Sequence, residues 1–215
     1  MNGTQNSQEH VKMQLVKGVL SGNNKVARQA IHILRNLGLL EGDTGLLQGL
    51  NFRGADLRHV NFRNANLRGA DLSGAKLSKV NFWYANMEKA NLSRVSIPSA
   101  DLIGVDLRQA LLDDAILTRA NLEYADLRGA NFGGADLRGV NFWQSTLTET
   151  LFDTARFDGN TTMPDGQKWS PTVDMKCFTH ANHPNAWRPA DYDLANMWDL
   201  MNARYRKNKK DNNGQ

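Results

Sequence analysis

Between residues 50 and 159 the sequence repeats with a period of five, and this period limits the folds open to the chain. Every fifth residue from Ala55 to Val140 is alanine or valine, and a large apolar residue follows two positions later. An α-helix turns about 100° per residue, so a step of five would scatter these side chains around the helix. A flat strand would send successive large residues to opposite faces. We therefore predict a solenoid that turns one corner per pentad and points both apolar residues inward.

The pentads resemble the A(D/N)LXX motif of the pentapeptide-repeat family. Residues 55–59 (ADLRH), 65–69 (ANLRG) and 125–129 (ADLRG) fit the motif as they stand. The resemblance implies an all-β solenoid, specifically a right-handed quadrilateral β-helix of about five and a half coils, with four pentads per coil. The Asp or Asn between the two apolar residues suits a tight turn, because its side chain can bond nearby backbone.

Seven pentads depart from the motif at the Asp/Asn position, and most of them lie late in the tract. There we expect the wall of the solenoid to be least regular. The departures are Lys76, Ser96, Leu111, Ile116, Thr146, Leu151 and Arg156.

The segments that flank the repeats predict caps. Residues 1–49 suggest a helical hairpin, with a capping box at Asn6 and Glu9 and a second helix that starts at Asn24 and ends at Gly38. The predicted apolar stripe of the second helix is Val26, Ala30, Ile33, Leu34 and Leu37. This hairpin would cover the first coil, since a solenoid leaves its last apolar layer exposed unless it is capped.

The sequence after the repeats divides into two parts. Residues 160–203 are too rich in aromatic residues for disorder, and Asp191–Arg206 can form an amphipathic helix with Leu194, Met197, Trp198 and Met201 on one side. We expect this segment to pack on the β-helix. Residues 204–215 form a basic tail, which we expect to be disordered. Its cations are Arg204, Arg206, Lys207, Lys209 and Lys210.

The bulky outward residues indicate a candidate binding surface. When the repeats are written in columns of twenty, all of them fall on one of the four faces; they are Trp83, Tyr84, Ile103, Tyr124 and Trp143. An apolar stripe of this size should not face water without a cause. Either the aromatic C-terminal segment folds back onto it, or it forms an interface with a second copy or an unknown protein partner.

Charge varies along the axis of the predicted rod. Arg53, Arg58, Arg63 and Arg68 occupy equivalent positions in the first coil and form a basic collar. The other end is acidic, with Asp113, Asp114, Glu123, Glu149, Asp153 and Asp158. Residues 50–159 carry 13 basic and 13 acidic residues, so the formal net charge of +4 comes from the ends. We interpret the collar as solvated charge, because nucleic-acid binding requires a continuous basic track with stacking groups.

The sequence favours a non-catalytic binding scaffold. It contains no nucleophile elbow or phosphate loop, so we expect neither an enzyme nor a cofactor. Some members of the family protect DNA gyrase by resembling duplex DNA, which depends on a strongly negative surface, and the neutral tract disfavours that alternative. The spacing of Cys177, His180 and His183 matches no zinc signature, so we expect no metal site, although these residues are the candidate ligands.

Two features bear on location. The segment 1–10 has no signal-peptide pattern and no apolar run approaches the ~20 residues that span a bilayer, so we expect a cytoplasmic protein that does not enter the membrane. The single cysteine, Cys177, fits a reducing compartment.

Overall fold

The computed structural model of the chain describes residues 2–187. Two helices come first, α1 at Asn2–Val19 and α2 at Asn24–Asn36, and a four-residue helix, α3, lies at Lys176–Thr179. Between α2 and α3 the backbone forms single-residue β-bridges, spaced five residues apart, from Asn51 onward. The period of five seen in the sequence is therefore also the period of the backbone.

The bridges join each coil to the next in parallel. From Asn51↔Asp71 to Asp136↔Arg156, every bridge connects a residue with the one twenty positions later, which is four pentads. The ladder ends at Thr162, which pairs with Asn141 in parallel and with Lys168 in antiparallel orientation. A twenty-residue register places equivalent residues of successive coils above one another, so the chain forms a stacked β-helical solenoid.

Pentads with Asp or Asn at the motif position turn the corner through two hydrogen bonds, one from the backbone and one from that side chain. In the first pentad the N–H of Ala55 donates to the carbonyl of Phe52 at 2.9 Å, and Asn51 Oδ1 accepts from the N–H of Arg53 at 3.0 Å. The second residue of each corner has a positive φ, from Gly54 at 64° to Thr154 at 58°. The Asp or Asn side chain therefore stabilises the corner, as the motif predicts. The backbone of the same residue forms the β-bridge to the neighbouring coil.

The expectation of an irregular wall late in the tract is wrong. Lys76, Leu111 and Ile116 each bridge the coil before and the coil after, and Thr146, Leu151 and Arg156 also lie in bridges. The bridge uses only backbone N–H and C=O groups, which every residue except proline supplies. Loss of the Asp or Asn side chain removes one corner hydrogen bond and leaves the ladder continuous.

The hydrophobic core is a column formed by the two apolar residues of each pentad. Leu57, Leu107 and Phe132 are fully buried, as are nearly all their equivalents, and most of the alanines and valines two positions earlier are buried beside them, while Ala55 and Ala155 are partly buried. At the C-terminal end Phe152 and Phe157 are only partly buried. Burial of apolar surface along the whole tract stabilises the stack of coils.

Helix α2 packs on the first coil with a face that overlaps the predicted one: Ala30 and Leu34 are buried as predicted, and the other three residues of the predicted stripe are not. Its buried residues are Ala27, Ala30, Ile31 and Leu34, whereas Val26, Ile33 and Leu37 are exposed. Asn24 Nδ2 donates to the carbonyl of Arg58 at 2.8 Å, and Arg35 Nη2 donates to that of Asn61 at 2.8 Å. These bonds at both ends of α2 determine which side of the helix meets the coil.

The helix boundaries also differ in detail. Helix α1 begins at Asn2, so Asn6 and Glu9 lie inside it and form no capping box at its start. The N-cap of α2 is Asn23 rather than Asn24, and its side chain accepts from the N–H groups of Lys25 and Val26. Gly38 ends α2 with a φ of 67°, as predicted.

The described part of the C-terminal segment packs at the end of the β-helix. Met163 is fully buried, Trp169 stacks on Phe157 with ring centroids 5.7 Å apart, and the N–H of Glu149 donates to the carbonyl of Thr179 at 2.7 Å. The predicted helix at Asp191–Arg206 and the basic tail lie outside the described residues. Among residues 2–187, no helix is both long and apolar enough to cross a bilayer.

Candidate functional site

The structure places the five bulky outward residues on one face of the β-helix. This aromatic face consists of Trp83, Tyr84, Ile103, Tyr124 and Trp143, and the bridges Asn81↔Asp101, Asp101↔Asn121 and Asn121↔Asn141 set its register. The rings of Trp83 and Tyr84 lie 6.0 Å apart, and those of Tyr124 and Trp143 lie 5.2 Å apart, edge to face. Trp83 is 4% exposed, while the other four are half-buried.

Two tyrosines of the aromatic face occupy corner positions that require positive φ. Tyr84 has a φ of 54° and Tyr124 a φ of 59°. The left-handed region costs an L-residue roughly 1–2 kcal/mol, and glycine, which fills several equivalent corners, avoids this cost. Bulky residues in this region are uncommon, so the tyrosines lie on the face at some cost in stability.

Two carboxyl groups lie among the rings. Asp101 is half-buried, and its Oδ1 accepts from the N–H of Ile103 at 3.4 Å. Burial raises the pKa of the Asp101 carboxyl, the hydrogen bond from Ile103 lowers it, and the negative charge of Glu123 raises it further. Glu123 accepts a hydrogen bond from Asn141 Nδ2 at 2.7 Å. The centre of the aromatic face is therefore acidic.

One end of the aromatic face already holds a cation on a ring. The guanidinium carbon of Arg63 lies 4.9 Å from the centroid of the Trp83 ring, which is cation–π geometry. Arg63 also favours the ionised form of Asp101, as the effect of its charge on the pKa of that carboxyl indicates. The rings and carboxylates of this face are thus arranged in a way that accommodates a guanidinium.

The described part of the C-terminal segment does not cover the aromatic face. Trp169 stacks on Phe157, and Phe178 packs against Trp187 with centroids 6.3 Å apart, so these rings lie at the end of the solenoid. Contact with the face is made by the turn at Gly166, beside the Trp143 ring. The two alternatives for what covers the rest of the face, the C-terminal segment or another chain, both stay predictions.

The arginines of the basic collar are largely paired. Arg58 donates to both oxygens of Asp56, Arg68 lies 3.2 Å from Glu88, and Arg53 lies 3.7 Å from Asp71. Because acids neutralise these three and Arg63 lies on Trp83, the collar is not a concentrated positive patch.

The acidic residues of the far end take structural roles. Asp113 accepts from Asn131 Nδ2 at 2.6 Å, and Asp114 lies 3.8 Å from Arg94. Asp158 accepts from the N–H groups of Gly139 and Asn160, and the hydrogen bond from the Asn160 side chain is the main cause that lowers the pKa of its carboxyl. Asp158 therefore stabilises a turn, while Asp113 and Asp114 contact the neighbouring coils.

Cys177, His180 and His183 do not converge. Cys177 Sγ donates to the carbonyl of Asp174 at 2.9 Å, His180 Nδ1 lies 2.8 Å from Thr179 Oγ1, and His183 Nε2 lies 3.3 Å from Asp174 Oδ2. Within residues 2–187 no three groups of the ligand types His, Cys, Asp and Glu are placed to hold a metal ion.

We expect Cys177 to react slowly with iodoacetamide at neutral pH in the folded protein. Burial raises the pKa of its thiol, and the nearby charges of Asp174 and Asp165 raise it further, so the thiolate fraction is below that of an unhindered cysteine. The alkylation rate, followed by mass spectrometry, should rise when the chain is unfolded in urea. Equal rates in the folded and unfolded chain would contradict this assignment.

Comparison with known proteins agrees with the backbone period. A model of the pentapeptide repeats family matches residues 46–83, 75–114 and 115–153 with eight copies, which is half of the chain. Among curated proteins no match is found.

Three of the solved structures of similar repeats come from cyanobacteria. The pentapeptide repeat protein Rfr23 from Cyanothece 51142 is 28% identical over 53% of this chain and 88% of its own, with a TM-score of 0.40. The pentapeptide repeat protein alr5209 from Nostoc PCC 7120 is 29% identical over 44% and 78%, with a TM-score of 0.39. HetL from Nostoc sp. strain PCC 7120, involved in heterocyst differentiation regulation, is 20% identical over 64% and 98%, with a TM-score of 0.34. From its family match and its five-residue backbone period, this chain belongs to the pentapeptide repeat family, whose fold is a right-handed β-helical solenoid.

Proposed function

We propose that the chain is a non-catalytic scaffold that binds another protein through its aromatic face. The observation that carries this proposal is the packing of four aromatic rings and one isoleucine on a single face of the solenoid. Aromatic residues dominate the energetics of protein interfaces, and solenoids offer them on a rigid, extended surface.

The chemistry of the face points to the kind of partner. Asp101 and Glu123 place negative charge among the rings, and burial disfavours the ionised form of Asp101. A cation from a partner would stabilise that ionised form, and Arg63 on Trp83 supplies a precedent within the chain. The partner segment we propose carries an arginine or lysine beside an apolar side chain.

The same surface would serve poorly as a mimic of DNA. Much of the charge outside the aromatic face is balanced by pairs within or between coils, such as Arg108 with Asp106 and Arg138 with Asp136. A DNA mimic requires uncompensated negative charge. We therefore expect the purified protein not to relieve fluoroquinolone inhibition of supercoiling by gyrase. Relief of that inhibition would support gyrase protection as the function.

The organisation that we propose keeps four parts. Residues 1–49 cap the first coil, residues 50–159 form the rod of about five and a half coils, residues 160–203 pack against the rod, and residues 204–215 are the basic tail. The bonds from Asn24 and Arg35 to the carbonyls of the first coil support the first of these roles.

Asp101→Asn tests the proposed partner chemistry. Asparagine occupies the equivalent bridge position at Asn81 and Asn121 and accepts the same corner hydrogen bond, so the fold should be retained. We expect the variant to bind the partner roughly tenfold more weakly, because a buried charge–cation contact is lost, while its thermal midpoint does not fall. Binding would be measured by calorimetry, with a partner recovered from native cells by capture on the full chain and then purified.

The control is Asp71→Asn, which makes the same change on a different face. Equal weakening by both variants, or unchanged binding by Asp101→Asn, would overturn the proposal that the partner is cationic.

Light scattering on the full chain tests whether something else occupies the aromatic face. A dimer that Trp143→Ser disrupts indicates that a second copy of the chain occupies it. A monomer that Trp143→Ser destabilises, with partner affinity unchanged, indicates the chain's own segment 188–203.

A further inference from the structure

A cavity of about 460 Å³ lies between α2 and the first coil. Basic side chains contribute most of its lining: Lys25, Arg28, His32 and Arg35 from α2, and His59 from the coil. None of the lining residues within the described part of the chain is acidic. Its size falls in the range of small-ligand sites, which is roughly 300–1,000 Å³.

Hydrogen bonds hold both walls of the cavity in place. Asn24 Nδ2 donates to the carbonyls of Asp56 and Arg58 at 3.2 and 2.8 Å, at the start of α2. Near the end of α2, the Arg35 guanidinium donates to the carbonyls of Asn61 and Arg63 at 2.8 and 3.0 Å. The helix is therefore fixed across the coil at two points, and the cavity between them is preformed.

The cations of the cavity differ from those of the solenoid wall. Arg58, Arg108 and Arg128 each pair with the aspartate two residues earlier in the same pentad. Lys25 and Arg28 form no ion pair within the described part of the chain, and the acid beside Arg35 is Glu41 at 3.4 Å. Positive charge is thus concentrated in the cavity without a matching number of carboxylates.

We propose that this cavity binds a phosphate-bearing ligand. Arginine recognises phosphate through two parallel hydrogen bonds, lysine adds a point charge, and the two imidazoles supply further donors. Among residues 2–187, no Phe, Tyr or Trp lines the cavity, so none of these rings is available to stack on a nucleobase. The ligand is a compact phosphorylated small molecule or a phosphorylated side chain of a bound protein, and both present the same phosphate group.

Calorimetric titration of the full chain at low ionic strength tests the site with three probes. The probes are sodium pyrophosphate, the peptide Gly-Gly-phosphoserine-Gly-Gly with blocked termini, and the same peptide with glutamate in place of phosphoserine. Saturable binding of pyrophosphate alone indicates a free phosphorylated ligand, and binding of the phosphopeptide indicates a modified protein. Absence of binding by both phosphorylated probes, or equal affinity for the glutamate peptide, would overturn the proposal.

The double variant Lys25→Gln/Arg28→Gln locates the binding. Both side chains are exposed and unpaired within the described residues, so the thermal midpoint should be retained, while affinity for the phosphorylated probe falls at least about tenfold. Lys89→Gln/Arg94→Gln removes the same charge from two other faces and should leave affinity within about twofold of wild type. Equal losses in both double variants would show a general charge effect and reject the cavity as the site. The residues that line the cavity are not those of the aromatic face. A negative result for phosphate binding would therefore leave the proposed scaffold function unaffected.

Discussion

Leu112→Ala is expected to lower the free energy of unfolding by about 2–5 kcal/mol, whereas Leu111→Ala should change it by less than about 1 kcal/mol. The two leucines are adjacent in sequence and undergo the same substitution. Leu112 is fully buried in the core column, while Leu111 is 44% exposed at the bridge position. Truncation of Leu112 removes buried apolar surface and leaves a cavity, and truncation of Leu111 does neither to the same extent.

Equilibrium urea unfolding of the two variants, followed by circular dichroism, measures the difference. Leu111 donates its N–H to Ala90 at 2.9 Å and Leu112 donates to Asn131 at 2.7 Å, and both bonds are unaffected by a change of side chain. The comparison therefore isolates side-chain burial. Similar losses for both variants would mean that the inward and outward positions of the pentad are not assigned correctly.

The period of five was sufficient to predict the core, because a residue that recurs every five positions can keep its side chain inward only if the backbone turns once per pentad. The twenty-residue register between coils came from the resemblance to the family, which implies four pentads per coil. A departure from the motif at a single residue does not predict an irregular wall, as Lys76, Leu111 and Ile116 show. They depart from the motif without disturbing the ladder, since the ladder depends on the backbone.

The orientation of α2 could not be predicted in the same way. Two apolar stripes on this helix share Ala30 and Leu34: the predicted one adds Val26, Ile33 and Leu37, and the other adds Ala27 and Ile31. Spacing alone does not choose between them. Long-range hydrogen bonds from Asn24 and Arg35 to the first coil select the second stripe. These bonds span 26 to 34 residues, and no local pattern reports them.

The candidate site was only partly visible in the sequence. The repeats written in columns of twenty indicate the aromatic face from its bulky apolar residues alone. The same columns contain Asp101 and Glu123, and a search for charged residues would have found both. The positive φ of Tyr84 and Tyr124 had no sequence signal, because lysine, arginine and serine occupy the same corner position elsewhere.

Gly104→Ala is expected to disturb the aromatic face without altering any of its side chains. Gly104 has a φ of 62°, and a Cβ at this position would overlap the ring of Tyr84 from the coil before. The variant carries the cost of alanine in the left-handed region, about 1–2 kcal/mol, and the further cost of moving the ring. We expect a total loss of about 2–4 kcal/mol in the free energy of unfolding, together with weaker partner binding.

Gly129→Ala separates these two costs. Gly129 has a φ of 67°, but the nearest side-chain atom to its Cβ position, Gln109 Cγ, is 3.5 Å away, which is ordinary contact. Its loss should therefore be confined to the backbone cost of about 1–2 kcal/mol, with partner binding unchanged. In a Tyr84→Ala background, Gly104→Ala should cost no more than Gly129→Ala, because the overlapping ring is gone. If Gly104→Ala cost the same with and without the tyrosine ring, Tyr84 would not lie over Gly104, and the close packing that defines the aromatic face would have to be abandoned.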